Sequence, residues 1–285
     1  MAMVERICEL NEHAKKKGKP LPYPLDECVF ADTGFEFPYL YDYIKIQAKR
    51  LEKTYNIKCV VLKPDNKLWE KWFYGKRKTG KLKGTQRGFP MVINPCRYSR
   101  ESKIKPLEKY YSEKSKVIYV GIAHDEPERI RDDDFIRYPL DDWGWSEVDC
   151  AKYLKKKGLW NELYNDFDRL GCFFCHKQSL WSWYMLWQKY PKLYEKAIFW
   201  DNESRRITID AHGIRIDMTL EKLRDKFKDG FRPKRKKNFI SKLKQKSLND
   251  YKEDSCDAVA SAFSIRDKKL KIYEQKIKEI DGRLI

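Results

Sequence analysis

Two cysteines separated by two residues, Cys172 and Cys175, form the motif of this sequence with the clearest chemical meaning. This spacing lets two thiolates face one metal ion. Redox-active and purely structural C-x-x-C turns also exist, so the motif predicts a thiol site without fixing its chemistry. His176 follows directly and is either a substitute ligand or, as its position favours, a surface histidine.

The stretch "ADTG" gives a second candidate site, at Asp32, Thr33 and Gly34. It lies between an apolar run and an amphipathic pattern, which predicts a strand, a tight turn and a helix. Gly34 permits the sharp turn, and the other two residues offer side-chain oxygens beside the positive N-terminus of the helix. Ligands of open α/β sheets bind at such carboxyl ends of strands. The turn therefore predicts a nucleotide site.

The elements that must position these residues follow from the hydrophobic pattern. Short runs rich in Val and Ile predict strands covered on both faces, at "CVFAD", Ile57–Leu62 and Lys116–Ala123. Helical patterns precede and separate them, at Met1–Lys17, Pro38–Lys53 and Arg100–Lys114. This alternation predicts an α/β fold with an open, largely parallel twisted sheet. After Tyr138 the pattern is mainly helical, and Ser146 with Asp149 predicts a capped helix start.

Five stretches, in chain order, resemble the phosphoadenosine phosphosulfate reductase family, which has the adenine nucleotide alpha-hydrolase-like fold. They are "FADTGFEFPYLYDYI", "NPCRYSRESKIKPLEKY", "YVGIAHDEPER", "YPLDDWGWSEVDCAKYLKKKGL" and "DRLGCFFCHKQSL". The resemblance covers about residues 1–193, and the ordered set is more specific than any single stretch. It implies that the Asp32 turn binds the adenosine side of ATP or phosphoadenosine phosphosulfate.

The resemblance also implies a segment ahead of Met1. Members of the family begin with a strand and a pyrophosphate-binding loop, Ser-Gly-Gly-x-Asp-Ser, which enters a helix that "MAMVERICEL" resembles. The family's strand order is 3-2-1-4-5, so the central strand is expected to be missing and phosphates to be bound poorly. A shortened chain, a start assigned too late, or a natural variant whose first strand comes from elsewhere would each explain this pattern.

Further site residues are implied by the resemblance. The comparable cysteines of relatives hold an iron–sulfur cluster or a zinc ion, which gives Cys96, Cys150, Cys172 and Cys175 as metal ligands. The alternative is four thiols without a metal, and a cysteine on a helix face, such as Cys150, is often only a small apolar residue. The residues expected to line the nucleotide and substrate pocket are Asp32, Thr33, Gly34, Arg97, Arg100, Lys103, Asp125, Glu126 and Arg129, with His124 near the site.

The charge favours a polyanionic partner. The 285 residues carry 61 Lys and Arg against 43 Asp and Glu, a net charge of +18, which suits nucleotides, DNA or RNA. Two basic stretches, residues 76–87 within a predicted mobile loop (Asn66–Pro95) and residues 231–246, are the candidate nucleic-acid surfaces. The alternative is a solvated Lys-rich face. The aromatic run Trp181–Trp200 either stacks bases or packs as core, and its helical spacing favours packing.

The sequence contains neither a run of about 18 apolar residues nor a basic leader followed by an apolar core. We therefore expect a cytoplasmic protein without a membrane partner. Its eight cysteines are then expected to be thiols or metal ligands rather than disulfides. Oligomeric state and acceptor substrate cannot be deduced from these features.

Two functions remain open, one enzymatic and one not. The first is an adenine-nucleotide enzyme of sulfur metabolism or of ATP-dependent sulfur transfer to DNA or tRNA. Phosphoadenosine phosphosulfate reduction fits less well, because "EDSCDAVASAF" around Cys256 matches the reductase's C-terminal Glu-Cys-Gly-Leu-His-like tail poorly. The second is a non-catalytic regulator that binds nucleic acid or a partner on a degenerate enzyme fold.

Three regions are expected along the chain. Residues 1–140 form an adenine-nucleotide-binding α/β domain, residues 141–205 a helical region with the cysteine motif, and residues 206–285 a basic C-terminal extension. The catalytic residues themselves are not identified by the sequence.

Overall fold

Short parallel strands and a mainly helical C-terminal part make up the α/β fold of this chain, as predicted. The computed structural model describes residues 1–90, 96–114 and 117–235. The strands are β1 (Glu27–Ala31), β2 (Lys58–Leu62), β3 (Ile118–Tyr119) and β4 (Ile136–Arg137). The helices are α1 (Ala2–Lys16), α2 (Pro38–Tyr55), α3 (Leu68–Phe73), α4 (Arg97–Ser99), α5 (Lys105–Lys114), α6 (Pro139–Asp142), α7 (Glu147–Lys156), α8 (Leu163–Asp166), α9 (Leu180–Lys189), α10 (Pro191–Ile207) and α11 (Leu220–Lys228). A π-helical turn covers Arg100–Ile104, and a 3₁₀ turn covers Pro127–Arg129.

The strands form two parallel pairs. β1 pairs with β2 in a register that opposes Cys28 to Cys59, and β3 pairs with β4. The pairs correspond to neighbours 3-2 and 4-5 of the expected strand order. No strand ladder joins one pair to the other within the described residues. The helix α2 connects β1 to β2, as the crossover of a parallel pair requires.

Local sequence explains where the helices beside the site begin and end. Pro38 starts α2, since its fixed φ suits the first helical position and its missing N–H is not needed there. Asn56 ends the helix with a φ of 56°, a left-handed cap that Asn tolerates well. Ser146 and Asp149 form the predicted capping box at the start of α7, with both reciprocal hydrogen bonds present.

One aromatic core joins the end of β1 to the helical part. The Phe35 ring lies 4.9 Å from Trp69 and 4.6 Å from Phe174, centroid to centroid. The core continues through the fully buried Trp183 of α9 to Phe227 of α11. The aromatic run thus contributes to packing, as its spacing predicted. All three predicted regions contribute to this core, and their boundaries stay a prediction.

The Lys-rich segment after α3, predicted as part of a mobile loop, forms a hairpin, and its mobility stays a prediction. Lys76 and Gln86 form an antiparallel bridge. The Arg77 N–H donates to Thr85 O at 2.8 Å, and the Gly84 N–H donates to Arg77 O at 2.8 Å. Gly80 and Gly84, with φ of 83° and 88°, supply the backbone conformation that the turn needs.

Several predictions fall on parts of the chain that are not described. These are residues 91–95 and 236–285, which include most of the second basic stretch, Cys256 and most of the predicted C-terminal extension. In the described parts, every helix is too short or too polar to cross a bilayer.

Candidate nucleotide and thiol site

The turn after β1 is held closed by Asp32. Its Oδ1 accepts hydrogen bonds from the Gly34 N–H at 2.7 Å and from the Tyr41 hydroxyl at 2.8 Å. Gly34 has a φ of 81°, a conformation that residues with a Cβ rarely adopt. Asp32 is buried, so these bonds satisfy a carboxylate that water cannot reach freely. One oxygen of Asp32 is therefore committed to shaping the turn and the start of α2.

The turn directly contacts the C-x-x-C motif. Thr33 Oγ1 lies 3.2 Å from Cys172 Sγ, and it donates a hydrogen bond to Glu36 Oε1 at 3.0 Å. The backbones are joined as well, because the Phe173 N–H donates to Phe35 O at 2.9 Å. The predicted nucleotide turn and the predicted thiol site are therefore adjacent. Thr33 and Cys172 are 139 positions apart in the chain, and no sequence signal predicted this contact.

Local hydrogen bonds build the C-x-x-C turn itself. The Cys175 N–H donates to Cys172 O at 3.0 Å, which closes the turn. The side-chain amide of Gln178 donates to Phe173 O at 2.6 Å. Phe173 and Phe174, between the cysteines, are buried in the aromatic core. The two phenyl rings thus anchor the turn, and the short loop holds the Cys172 thiol beside Thr33.

Cys96 brings a third thiol to the site. It precedes α4, packs against the aromatic core, and lies within electrostatic range of both Cys172 and Cys175. Burial raises the pKa of Cys96 and of Cys172 above the ordinary value of 9.0. For Cys172, the Glu36 carboxylate and the other two thiols add to this rise. In the absence of a metal, both groups are therefore neutral thiols at pH 7.

Cys150, the fourth predicted ligand, lies in a different part of the protein. It sits on α7, near Asp125 and the amino group of Met1, and burial raises its pKa to about 12. The structure thus brings together three of the four predicted ligands and not the fourth. Among the described residues, no three His, Cys, Asp or Glu side chains are arranged as a metal site. The three thiols converge without forming a complete set of ligands.

Glu36 is a site residue that the sequence analysis missed. It is only 5% exposed, and its Oε2 has no hydrogen-bond partner among the described residues. Burial raises its pKa, whereas the Thr33 hydrogen bond and the nearby Lys103 ammonium oppose that rise. Lys103, on the π-helical turn, thus lies within electrostatic range of Glu36, and its part in binding a nucleotide stays a prediction. A single acidic residue within the apolar run "FEFP" was the signal available.

The two predicted arginines of the same segment flank a buried tyrosine. Tyr98 donates its hydroxyl hydrogen bond to Thr33 O at 3.1 Å and so ties α4 to the turn. Arg97 and Arg100 are exposed, and neither has a hydrogen bond or ion pair with another described residue. Their part in binding a nucleotide remains a prediction.

His176 differs from the surface histidine that its position favoured. It is half-buried, and its Nε2 is enclosed without a partner among the described residues. Burial, followed by the positive charges of Lys177 and Arg169, lowers the pKa of the imidazole. The neutral ring is the form that can ligate a metal.

The "HDEPER" loop is committed to local contacts. Asp125 accepts a hydrogen bond from the Glu147 N–H at 3.0 Å, and Glu126 pairs with Arg129 at 2.6 Å. His124 Nδ1 lies 2.8 Å from Asp141 Oδ1. The structure describes no contact between these residues and the Asp32 turn. Their predicted role in binding a nucleotide is neither supported nor opposed by these contacts.

Arg235, the last described residue of the second basic stretch, has a structural role. Arg235 donates to Asp168 Oδ1 at 2.8 Å and to Asn165 O at 2.7 Å, so it holds the end of α8 and the residues just after it. An arginine engaged in this way does not offer its guanidinium to nucleic acid. The prediction that residues 231–246 bind nucleic acid therefore does not extend to Arg235.

Comparison with known proteins shows that both turns lie within the part of the chain that matches one domain family. A family model described as phosphoadenosine phosphosulfate reductase domain matches residues 8–178. The chain is 28% identical over 194 residues to the uncharacterized protein MJ0066 of Methanocaldococcus jannaschii, and the match covers 63% of this chain and 36% of that protein. It is 27% identical over 185 residues to the uncharacterized protein MJ0973 of the same organism, covering 60% of this chain and 40% of the relative. The chain thus spans well under half the length of these relatives.

Proposed function

The chain belongs to the phosphoadenosine phosphosulfate reductase domain family, and from this membership we propose that it is an adenine-nucleotide-dependent enzyme of sulfur chemistry. The contact between the Thr33 hydroxyl and the Cys172 thiol, at 3.2 Å, is the observation that carries the proposal. It joins the turn at which a nucleotide is expected to the thiols that can handle sulfur. A purely structural thiol turn would not need to adjoin that ligand site.

The nucleotide is assigned to the Asp32 turn. We propose ATP or phosphoadenosine phosphosulfate as the ligand, with positive charge supplied by Lys103, Arg97 and Arg100. For ATP, in-line attack by an acceptor at the α-phosphate would release pyrophosphate, and cationic side chains would stabilise the developing charge. Asp125, Glu126 and Arg129 are the further proposed pocket residues.

A proton path leads away from the thiol. Thr33 Oγ1 donates to Glu36, so it is free to accept the hydrogen of Cys172 while that cysteine is a thiol. When Cys172 loses its proton, Thr33 can turn its hydroxyl hydrogen toward the thiolate. Glu36, which is buried, has a raised pKa and accepts the Thr33 hydrogen bond, is then placed to take up the displaced proton. These residues can thus form the thiolate inside a site from which water is largely excluded.

The three convergent thiols are the proposed ligands of a zinc ion or an iron–sulfur cluster. Sulfur donors suit both groups, and the neutral His176 ring adjoins Cys175. The side chains described do not form a complete site, so metal binding would require them to move closer together or to recruit another ligand. Cys150 could join them only if it left its present position near Asp125.

The acceptor proposed for the transferred sulfur is a nucleic acid, DNA or tRNA. The net charge of +18 supports this choice over a small neutral acceptor. The non-catalytic alternative from the sequence differs in one measurable respect. An enzyme of this type releases pyrophosphate from ATP in the presence of its acceptor, whereas a regulator binds its ligands without turnover.

Calorimetric titration with ATP and with phosphoadenosine phosphosulfate tests the nucleotide assignment. The Asp32→Asn variant should bind at least tenfold more weakly, because the two hydrogen bonds that Asp32 Oδ1 accepts, from the Gly34 N–H and the Tyr41 hydroxyl, lose the negative charge of their acceptor. Asp65→Asn is the matched control, since Asp65 is exposed and accepts a similar local backbone hydrogen bond. This chain and any longer form that the gene encodes should be compared. Equal binding by both variants, or no binding by any form, would contradict the proposal.

A further inference from the structure

The hairpin of residues 75–88 carries unbalanced positive charge. It contains six Lys and Arg and no Asp or Glu. The two arginines are engaged, because Arg77 pairs with Asp210 at 3.5 Å and the Arg87 guanidinium lies 4.5 Å from the centre of the Trp72 ring. The lysines are exposed and have no hydrogen bond or ion pair with other described residues. They are Lys76, Lys78, Lys81 and Lys83.

The base of the hairpin is fixed against the end of α10. Gly88 approaches so closely that an added Cβ would lie 2.4 Å from Thr208 Cγ2. The Phe89 N–H donates to Ser204 Oγ at 2.8 Å, and His212 Nε2 lies 3.0 Å from Phe89 O. Because the base is held by packing and hydrogen bonds, a partner that binds the lysines has to order fewer residues than it would on a flexible segment. Binding to a fixed arm loses less conformational entropy than binding to a flexible tail.

The same base is part of the aromatic core beneath the thiol site. The Phe89 ring lies 5.6 Å from Phe174, which sits within the C-x-x-C turn, and 6.1 Å from Trp69. The base of the hairpin therefore packs directly against the turn that carries Cys172 and Cys175.

We propose that the hairpin of residues 75–88 is a docking arm for nucleic acid, whose lysines bind the phosphodiester backbone beside the thiol site. Four exposed lysines within residues 76–83 suit a polymer of many phosphates better than a single nucleotide. Lysine ammonium groups act as point charges and read no base pattern, so contact is with the backbone, and RNA and DNA share the chemistry. That the docked polymer is the sulfur acceptor rests on the proposed function, but the binding itself does not.

The test replaces Lys78, Lys81 and Lys83 with Gln in the full chain. Binding of a fluorescent RNA stem-loop and a DNA duplex of equal length is measured by anisotropy over a range of NaCl concentrations. Each lost phosphate contact lowers the slope of log affinity against log salt by about 0.9 for duplex DNA. The magnitude of this slope should therefore be smaller by about 2 to 3 in the variant, and its affinity at 0.1 M salt should be at least tenfold lower. Replacing the exposed Lys45, Lys49 and Lys109 removes the same charge elsewhere and should change affinity less than twofold.

The outcomes separate this inference from the proposed function. Equal losses in the two triple variants, unchanged binding in the hairpin variant, or no binding by the unaltered chain would each overturn the docking arm. So would hairpin-dependent binding to anionic lipid vesicles without binding to nucleic acid. Hairpin-dependent nucleic-acid binding by a protein that never binds ATP or phosphoadenosine phosphosulfate would support the arm and overturn the enzyme assignment. A preference for RNA or for DNA would identify which polymer docks.

Discussion

Glu36 shows how a single residue can link the thiol site to pH. Burial raises the pKa of its carboxyl above the ordinary value of 4.5, so the folded protein holds this proton more tightly than the unfolded chain does. Such a group contributes stability that is fully present below pH 4.5 and is lost as pH rises through the folded pKa. A glutamine at this position keeps the shape and has no proton to lose.

We therefore expect the free energy of unfolding of the unaltered protein to fall relative to Glu36→Gln as the pH rises above 4.5. Urea unfolding of both proteins at several pH values measures the difference. The exposed Glu70 supplies the control, and Glu70→Gln should follow the unaltered protein at every pH. A constant difference between Glu36→Gln and the unaltered protein would show that the carboxyl does not titrate as its burial requires.

The cysteines separate into two groups that substitution can distinguish. We expect protein purified without oxygen to contain iron and sulfide, or about one zinc per chain, the usual content of one closed site. Cys172→Ser should lose that content, because its thiol lies within electrostatic range of both Cys96 and Cys175. Cys150→Ser should retain it, since Cys150 lies near Asp125 instead. Elemental analysis and sulfide determination provide the measurement.

Two results would contradict this division of the cysteines. Metal-free protein in which Cys96, Cys172 and Cys175 are all freely alkylated would show that these three thiols hold no metal. Loss of metal in Cys150→Ser at unchanged stability would show that the loaded protein brings Cys150 to the other three. That outcome would favour the four-ligand set that the resemblance implied.

At the scale of elements, the sequence was informative wherever a local pattern decides the structure. Pro38 and the Ser146–Asp149 capping box fixed helix starts that the structure confirms. The strand predicted at Lys116–Ala123 was less accurate, because only Ile118–Tyr119 is paired in the described residues. A strand is defined by its partner, and that partner lies elsewhere in the chain. The hairpin was missed because Gly and Lys are also the residues of irregular loops.

Two glycines of the hairpin give a matched test of how it is anchored. Gly88 and Gly84 both have positive φ, at 62° and 88°, but only Gly88 packs against α10. Alanine at Gly84 should cost about 1 kcal/mol, the ordinary penalty of the left-handed conformation. Alanine at Gly88 should cost about 2 to 4 kcal/mol, because its Cβ must also displace Thr208 and Ser204. Urea unfolding measures both, and equal costs would mean that the hairpin base is not held as described.

At the scale of the whole molecule, family membership and fold class could be predicted, but the composition of the site could not. The ordered stretches identified the family, and alternation of strands and helices gave the α/β fold. The contact of Thr33 with Cys172 depends on how the aromatic core joins distant segments, which no local pattern records. For the same reason Cys150 lies apart from the other thiols, although the stretch around it resembles the family stretch that supplies a metal ligand. Residue types suggested the chemistry, whereas packing decided which residues meet.

The central claim is that the nucleotide turn and the C-x-x-C thiols form one site, and nucleotide protection of those thiols tests it most directly. After chelation of any metal, the alkylation rates of Cys172 and Cys175 are followed by mass spectrometry, with and without saturating ATP or phosphoadenosine phosphosulfate. Bound nucleotide should slow alkylation of both thiols several-fold and leave the rate at Cys150 unchanged, and Asp32→Asn should weaken the protection. Nucleotide binding detected by calorimetry without any change in the rates at Cys172 and Cys175 would contradict the account.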